Sequence, residues 1–212
     1  MSEAYGKVEA ERQFIEAKIK ELIRRIGPIP IASPEIMPFG WRKAAKGRTV
    51  WRIVEEIISQ NLEKYAQELG FKQIKAADSE VGVYDFEFVL KDGSKSYVNI
   101  KSSVAGGKRN KDDISKGEGL VQFYRENPES NLYVATFLIQ FNARMLIELL
   151  DCIVFPVPWI PDVYVNPSNN GNLQSADYKN IRNATKRTNE EFFEVLMAEM
   201  RVAAAKRMSK RR

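Results

Sequence analysis

The chain has 212 residues, enough for one domain with a full hydrophobic core, and 44% hydrophobic and 29% charged residues mark a folded chain rather than a disordered one. It contains no histidine and a single cysteine, Cys152. That excludes catalytic triads and zinc sites built on imidazole, hydrolysis by a histidine base, and any internal disulfide; a hydrolase of this composition must work with carboxylates, lysines and an oxygen-liking cation such as Mg²⁺.

The net charge of +5 is concentrated in residues 182–212, which carry nine basic and four acidic side chains, while the remainder balances. Such an excess suits a polyanion partner, although a solvated basic tail has the same composition. The most apolar stretch, residues 145–160, is broken by Glu148, Asp151, Pro156 and Pro158. It falls short of the roughly 20 apolar residues of a membrane helix. The N-terminus lacks the apolar core of a signal peptide. No membrane partner is expected, and a cytoplasmic location is.

In chain order, residues 9–26 predict an amphipathic helix, with Phe14, Ile15, Ile19, Leu22, Ile23 and Ile26 at helical spacing and Gly27-Pro28 as its stop. Residues 28–40 hold four prolines and predict an extended connector. A basic loop, residues 42–48, follows. Thr49 is placed as the N-cap of a strong helix reaching about Leu69, with Gly70 just past its end. Residues 71–76, 81–90 and 94–102 predict strands, the last two joined by a Lys91-Asp92-Gly93 turn. A glycine- and lysine-rich loop, residues 103–111, leads into a helix expected over 113–126. Residues 132–141 predict a core strand and 144–157 more strand, with 145–150 also compatible with helix. A polar loop (166–175) precedes a last amphipathic helix, about 189–206. Helices outside a strand-rich middle with one crossover helix imply an α/β (α+β) layer fold.

The strand around Asp85 alternates, with Asp85 and Glu87 on one face and Phe86 and Phe88 on the other. The next strand alternates too, setting Asn99 and Lys101 opposite to Val98 and Ile100. A three-residue turn with Gly93 in the left-handed position pairs Leu90 with Ser94, and hence Asp85 with Asn99. Asp85, Asn99 and Lys101 then share a face. A two-residue Asp92-Gly93 turn would flip one strand and separate them. A metal that polarises a phosphoryl oxygen and generates hydroxide, with a cation to position the water, is what phosphodiester hydrolysis needs. Asp85 can bind Mg²⁺, the Ile100 carbonyl can be a second ligand, and Lys101 can hold the attacking water. An ordinary hairpin with scattered polar residues fits the same pattern. On the preceding helix, Glu55 borders the apolar face and can reach the same metal, whereas Glu56 lies with Arg52 and Glu63 on the polar face.

A helix glutamate, a hairpin aspartate and a following strand ending in lysine resemble the PD-(D/E)xK nuclease superfamily, and within it the type II restriction endonucleases. The resemblance covers residues 49–141. It implies a restriction-endonuclease-like mixed sheet flanked by helices and Mg²⁺-dependent hydrolysis of duplex DNA at a short specific sequence. The family's catalytic roles then fall on Glu55, Asp85, Asn99 and Lys101, with Glu55, Asp85 and Ile100 at the metal. Tyr84 stands where the motif has proline. Asn99 stands where it has an acid, and Glu118 on the following helix is the candidate replacement. Lys108, Arg109 and Lys111 are placed to touch phosphates. Asn169, Asn170, Asn172 and Gln174 lie in a loop whose amides suit base edges, though turns use the same residues.

One nuclease domain is expected: residues 1–48 a helix and proline-rich arm, 49–141 the catalytic core, 142–212 a reading loop and basic helix. A palindromic target further implies a homodimer, with the N-terminal helix as a possible arm or packed on its own domain. A repair or recombination nuclease on the same fold, and a non-catalytic DNA-binding protein with a degenerate site, are the alternatives.

Overall fold

A computed structural model describes residues 2–42, 50–77, 82–107, 111–168 and 171–209. Its centre is a six-stranded mixed sheet made of β1 (Ile29–Pro30), β2 (Gln73–Ala76), β3 (Phe86–Val89), β4 (Lys95–Val104), β6 (Asn131–Phe141) and β7 (Leu146–Pro156). The order is β1-β7-β6-β4-β3-β2. Neighbours are antiparallel except β4 and β6, which run parallel. A parallel pair needs a crossover, and α3 (Gly117–Glu126) provides it. The other α-helices among the described residues are α1 (Ser2–Ile26), α2 (Trp51–Lys64) and α4 (Asn189–Ser209). This is the mixed α+β architecture expected, a mixed sheet flanked by helices.

Alternation along β6 divides the core. Tyr133, Ala135, Phe137 and Ile139 face a cluster built with α1 and α2, while Leu132 and Val134 face a second cluster containing α3 and α4. The stripe of α1 (Ile15, Ile19, Leu22, Ile23) is buried in the first cluster, where each residue gains roughly 1.5–3 kcal/mol by leaving water. Polar bonds add to this: Glu11 accepts from Ser96 and Asn131, and Arg12, itself buried, pairs with Glu9 and Glu16. The idea of α1 as a dimerisation arm is therefore corrected, since its apolar face is occupied within the chain.

Three other expectations change. The proline connector contributes β1, an edge strand on β7, a place where proline costs no ladder bond. Regular α2 begins after Val50 and ends at Lys64, with turns continuing to a left-handed Gly70 (φ 94°); Thr49 lies outside the described residues. Finally, the first turn of the expected 113–126 helix is a strand, β5 (Asp112–Lys116). It pairs with β9 (Asn172–Ser175), which pairs with β8 (Tyr164–Val165), so the last four residues of the expected polar loop are a strand of a small antiparallel sheet. The helix begins only at Gly117. The Gly117 N–H donates to the Gly171 carbonyl, and a Cβ at 117 would stand 2.8 Å from that oxygen.

Gly117→Ala is accordingly expected to destabilise the fold by about 1–3 kcal/mol, the usual cost of forcing atoms into a packed contact. Denaturant unfolding measures it; an unchanged midpoint would contradict the close approach of β5 and the β8–β9 turn.

Candidate active site

The hairpin between β3 and β4 forms in the expected register. Leu90 N–H donates to the Ser94 carbonyl (2.9 Å) and Gly93 N–H to the Leu90 carbonyl (3.0 Å), with Gly93 left-handed at φ 86°. Asp92 secures the turn by accepting from the Ser94 N–H and hydroxyl. The ladder runs from Val89–Lys95 to Phe86–Val98 and stops there. Asp85, one residue beyond, does not continue it as a ladder partner of Asn99. Its N–H donates to the Val98 carbonyl, and its carboxylate accepts the Ile100 N–H. Where β3 peels away, a buried donor of β4 would lack a strand partner, and the Asp85 side chain supplies one. Asn99, 7% exposed, closes the same gap by donating its amide to the Val83 carbonyl at 2.9 Å.

Glu55 reaches this point from α2. The helix presents Val54, Ile58 and Leu62 to the core, which puts Glu55 at the rim, half-buried, and leaves Glu56 exposed and bonded to Gln60. Arg52, Glu55, Glu56, Ser59, Ala77 and Asp85 line one open cleft. Burial, reinforced by the charge of Asp85, raises the pKa of Glu55; burial also raises that of Asp85, against the Ile100 N–H and the charges of Lys101 and Arg52. Lys101 is recessed on β4, and burial pushes its ammonium down despite Asp85, Asp113, Glu55 and Asp112 nearby. Two carboxylates and an amine, from three elements, thus sit where each finds its charge costly.

The donor set suits a hard divalent cation. Among the described residues no three His, Cys, Asp or Glu side chains form a metal-sized group by themselves. What is present is a pair of carboxylates destabilised as anions in one cleft; separately, the carboxamide oxygen of Asn99 on β4 is buried without a hydrogen-bond partner. Mg²⁺ is bound by few protein oxygens and retains waters, so this set fits it.

Other expected residues are placed differently. Glu118 is exposed on α3 and lines a groove with Val121, Met197 and Met200, away from the Asp85 cleft. Asn172 and Gln174 lie on β9 rather than in a loop. Gln174 donates to Asp113 (2.6 Å) and accepts from Asn166 (3.1 Å), and the Asn172 carboxamide oxygen is buried without a partner. The Lys111 ammonium sits over the Tyr164 ring at 4.3 Å. Lys108, Arg109, Asn169 and Asn170 fall outside the described residues. Sequence reasoning missed Asp112 and Asp113 on β5, which act on Lys101, and Tyr178 and Lys179, both hydrogen-bonded to Asp112. The adjacent acids after a glycine- and lysine-rich loop were the available signal.

No family model matches the chain, and no curated protein does. Among solved structures it is similar to the NlaIV restriction endonuclease, at 12% identity over 74% of this chain and 75% of that one, with a TM-score of 0.44. A likeness that distant carries no information about residues, substrate or partners. Among the described residues no helix is long and apolar enough to cross a membrane.

Both carboxylates are held above their ordinary range, so the metal-free fold carries the cost of ionising them at neutral pH. That cost disappears once pH falls below the ordinary carboxylate range, where folded and unfolded states are both protonated. Asp85→Asn and Glu55→Gln should therefore each raise the metal-free melting temperature at pH 7 by a few degrees, with the gain shrinking as the solution is acidified. Mg²⁺ should stabilise the native protein more than either variant. Lower melting temperatures for both variants at pH 7 would contradict the electrostatic account.

Proposed function

We propose that the protein is a Mg²⁺-dependent endonuclease of the PD-(D/E)xK kind, a type II restriction enzyme that hydrolyses duplex DNA at a short specific sequence. The observation that carries this is the meeting of Glu55, Asp85 and Lys101 at the place where β3 leaves β4. In this reading Glu55, Asp85 and the Ile100 carbonyl hold the cation, and Asn99 contributes a neutral oxygen. The cation supplies Lewis acidity at the phosphoryl oxygen and an acidified water. Lys101 orients that water and offsets charge developing on the phosphate. Lys108, Arg109 and Lys111 contact phosphates, and Asn169, Asn170, Asn172 and Gln174 face bases. A homodimer would present one such site to each strand.

One observation favours a second reading. Gln174 has both ends of its amide engaged within the chain, so reading a base would require exchanging those bonds. A nuclease that recognises DNA structure, or a binding protein without catalysis, needs no such exchange. Plasmid DNA incubated with the protein and Mg²⁺ separates the three: discrete bands support restriction, smearing or branch-dependent cutting the second, and retained binding without cutting the third.

Within the restriction reading, Lys101→Ala and Asp85→Ala should each lower the single-turnover cleavage rate by at least about 100-fold, the scale of losing a preorganised electrostatic group, while DNA binding persists. Glu55→Gln should impair cutting more than Glu56→Gln, because Glu55 alone is half-buried beside Asp85. Wild-type rates in the Lys101 or Asp85 variant, or the reverse ranking of the glutamates, would overturn the assignment.

A further inference from the structure

Lys101 pairs in register with Thr136 of the parallel strand β6, so the two side chains stand side by side on one face of the sheet. That face is opposite to Ile100, Ala135 and Phe137, which belong to the α1–α2 core. Thr136 is 3% exposed, and its hydroxyl has no hydrogen-bond partner. A buried hydroxyl left unpaired costs about 1–3 kcal/mol, so one in a core strand needs a reason. Its other polar neighbour, the Tyr178 hydroxyl, donates to Asp112 at 2.9 Å. The Thr136 hydroxyl also lies close enough to Tyr178 to act on the phenol as a weak hydrogen-bond donor, against the rise that burial imposes, although the contact falls outside strict hydrogen-bond geometry and leaves the Thr136 oxygen without a donor of its own.

Lys101 shows the complementary deficit. An ammonium has three donors and no acceptor. Among the described residues no hydrogen bond or ion pair holds it, although it is recessed among Asp85, Glu55, Asp112 and Asp113. A recessed donor with unused protons therefore shares a sheet face, in register, with a buried hydroxyl oxygen that has no donor.

We propose that Thr136 is a positioning residue for Lys101: its hydroxyl accepts from the ammonium, directly or through one buried water, and fixes where the amine points. This rests on the reading of Lys101 as the group that orients the attacking water, and it adds a residue from a strand outside the hairpin. A flexible four-carbon stem does not by itself hold an ammonium in place. A tether on the neighbouring strand limits the amine to the side of β4 from which it faces the Asp85–Glu55 cleft.

The test compares Thr136→Val, which keeps the shape and removes the hydroxyl, with Thr136→Ser, which keeps the hydroxyl. Two readouts are taken on the full-length protein. The first is the ¹H–¹⁵N signal of the Lys101 ammonium in metal-free protein, assigned by its loss in Lys101→Ala. A tethered ammonium exchanges slowly with water and gives a signal, which Thr136→Ser should preserve and Thr136→Val should abolish. The second is single-turnover cleavage. Thr136→Val should lower it about 10- to 100-fold, the scale of a small misplacement of a reacting group, with DNA affinity unchanged and Thr136→Ser near wild type.

If the hydroxyl is merely an unpaired defect, Thr136→Val will melt higher than wild type, cut at the wild-type rate and keep the ammonium signal; that result overturns the proposal. Absence of cutting by the wild-type protein would overturn the nuclease reading instead, and the ammonium signal would still decide the role of Thr136.

Discussion

The site depends on where the β3–β4 ladder stops. The left-handed Gly93 sets the register, Leu90 meets Ser94, and pairing runs out at Phe86–Val98. Beyond that point β4 has a bare N–H at Ile100, and a buried bare N–H is costly. Asp85 satisfies it with a carboxylate oxygen, which draws the acid in among Glu55 and Lys101 and out of water. A register one residue different would put Phe86 where Asp85 stands, and the cluster would not exist.

From this follows the character of the cleft. A carboxylate half engaged with the backbone and partly desolvated is a poor anion by itself, and its charge adds to the cost that burial sets on Glu55. Lys101 offsets some of that charge but is disfavoured by the same burial. Such an arrangement weakens the metal-free fold. A divalent cation would relieve the carboxylates, and its binding energy would appear as stability. On the other side of Lys101, Asp112 takes hydrogen bonds from Tyr178 and Lys179, and Lys179 reaches Ser103 on β4, so the small β5-β9-β8 sheet is tied to the strand that carries Lys101.

The hairpin register and the phase of Glu55 were legible because they follow from local rules. A three-residue turn with glycine at its end has one favoured geometry, and a helix that buries Val54, Ile58 and Leu62 must carry Glu55 at the rim. Even there, the expected Asp85–Asn99 pair is not made, because alternation indicates a face and not the residue at which strands part. The small sheet was illegible for a different reason. Asp-Asp-Ile-Ser-Lys is ambiguous alone, and its partner β9 lies nearly sixty residues on, in a stretch whose Asn and Ser content reads as a turn. Thr136 was hidden among the apolar residues of a core strand. Its importance arises from the parallel pairing of β4 with β6, which local pattern does not encode.

The central claim is that Asp85 and Glu55 jointly hold a divalent cation. Crystals of the protein soaked in Mn²⁺, an anomalous scatterer that takes the same oxygen ligands as Mg²⁺, test it most directly. The account predicts an anomalous peak between the Asp85 and Glu55 carboxylates, within coordination distance of the Asn99 carboxamide oxygen, that is lost in Asp85→Asn. A peak elsewhere in the chain, or one at this place that survives the substitution, would contradict it.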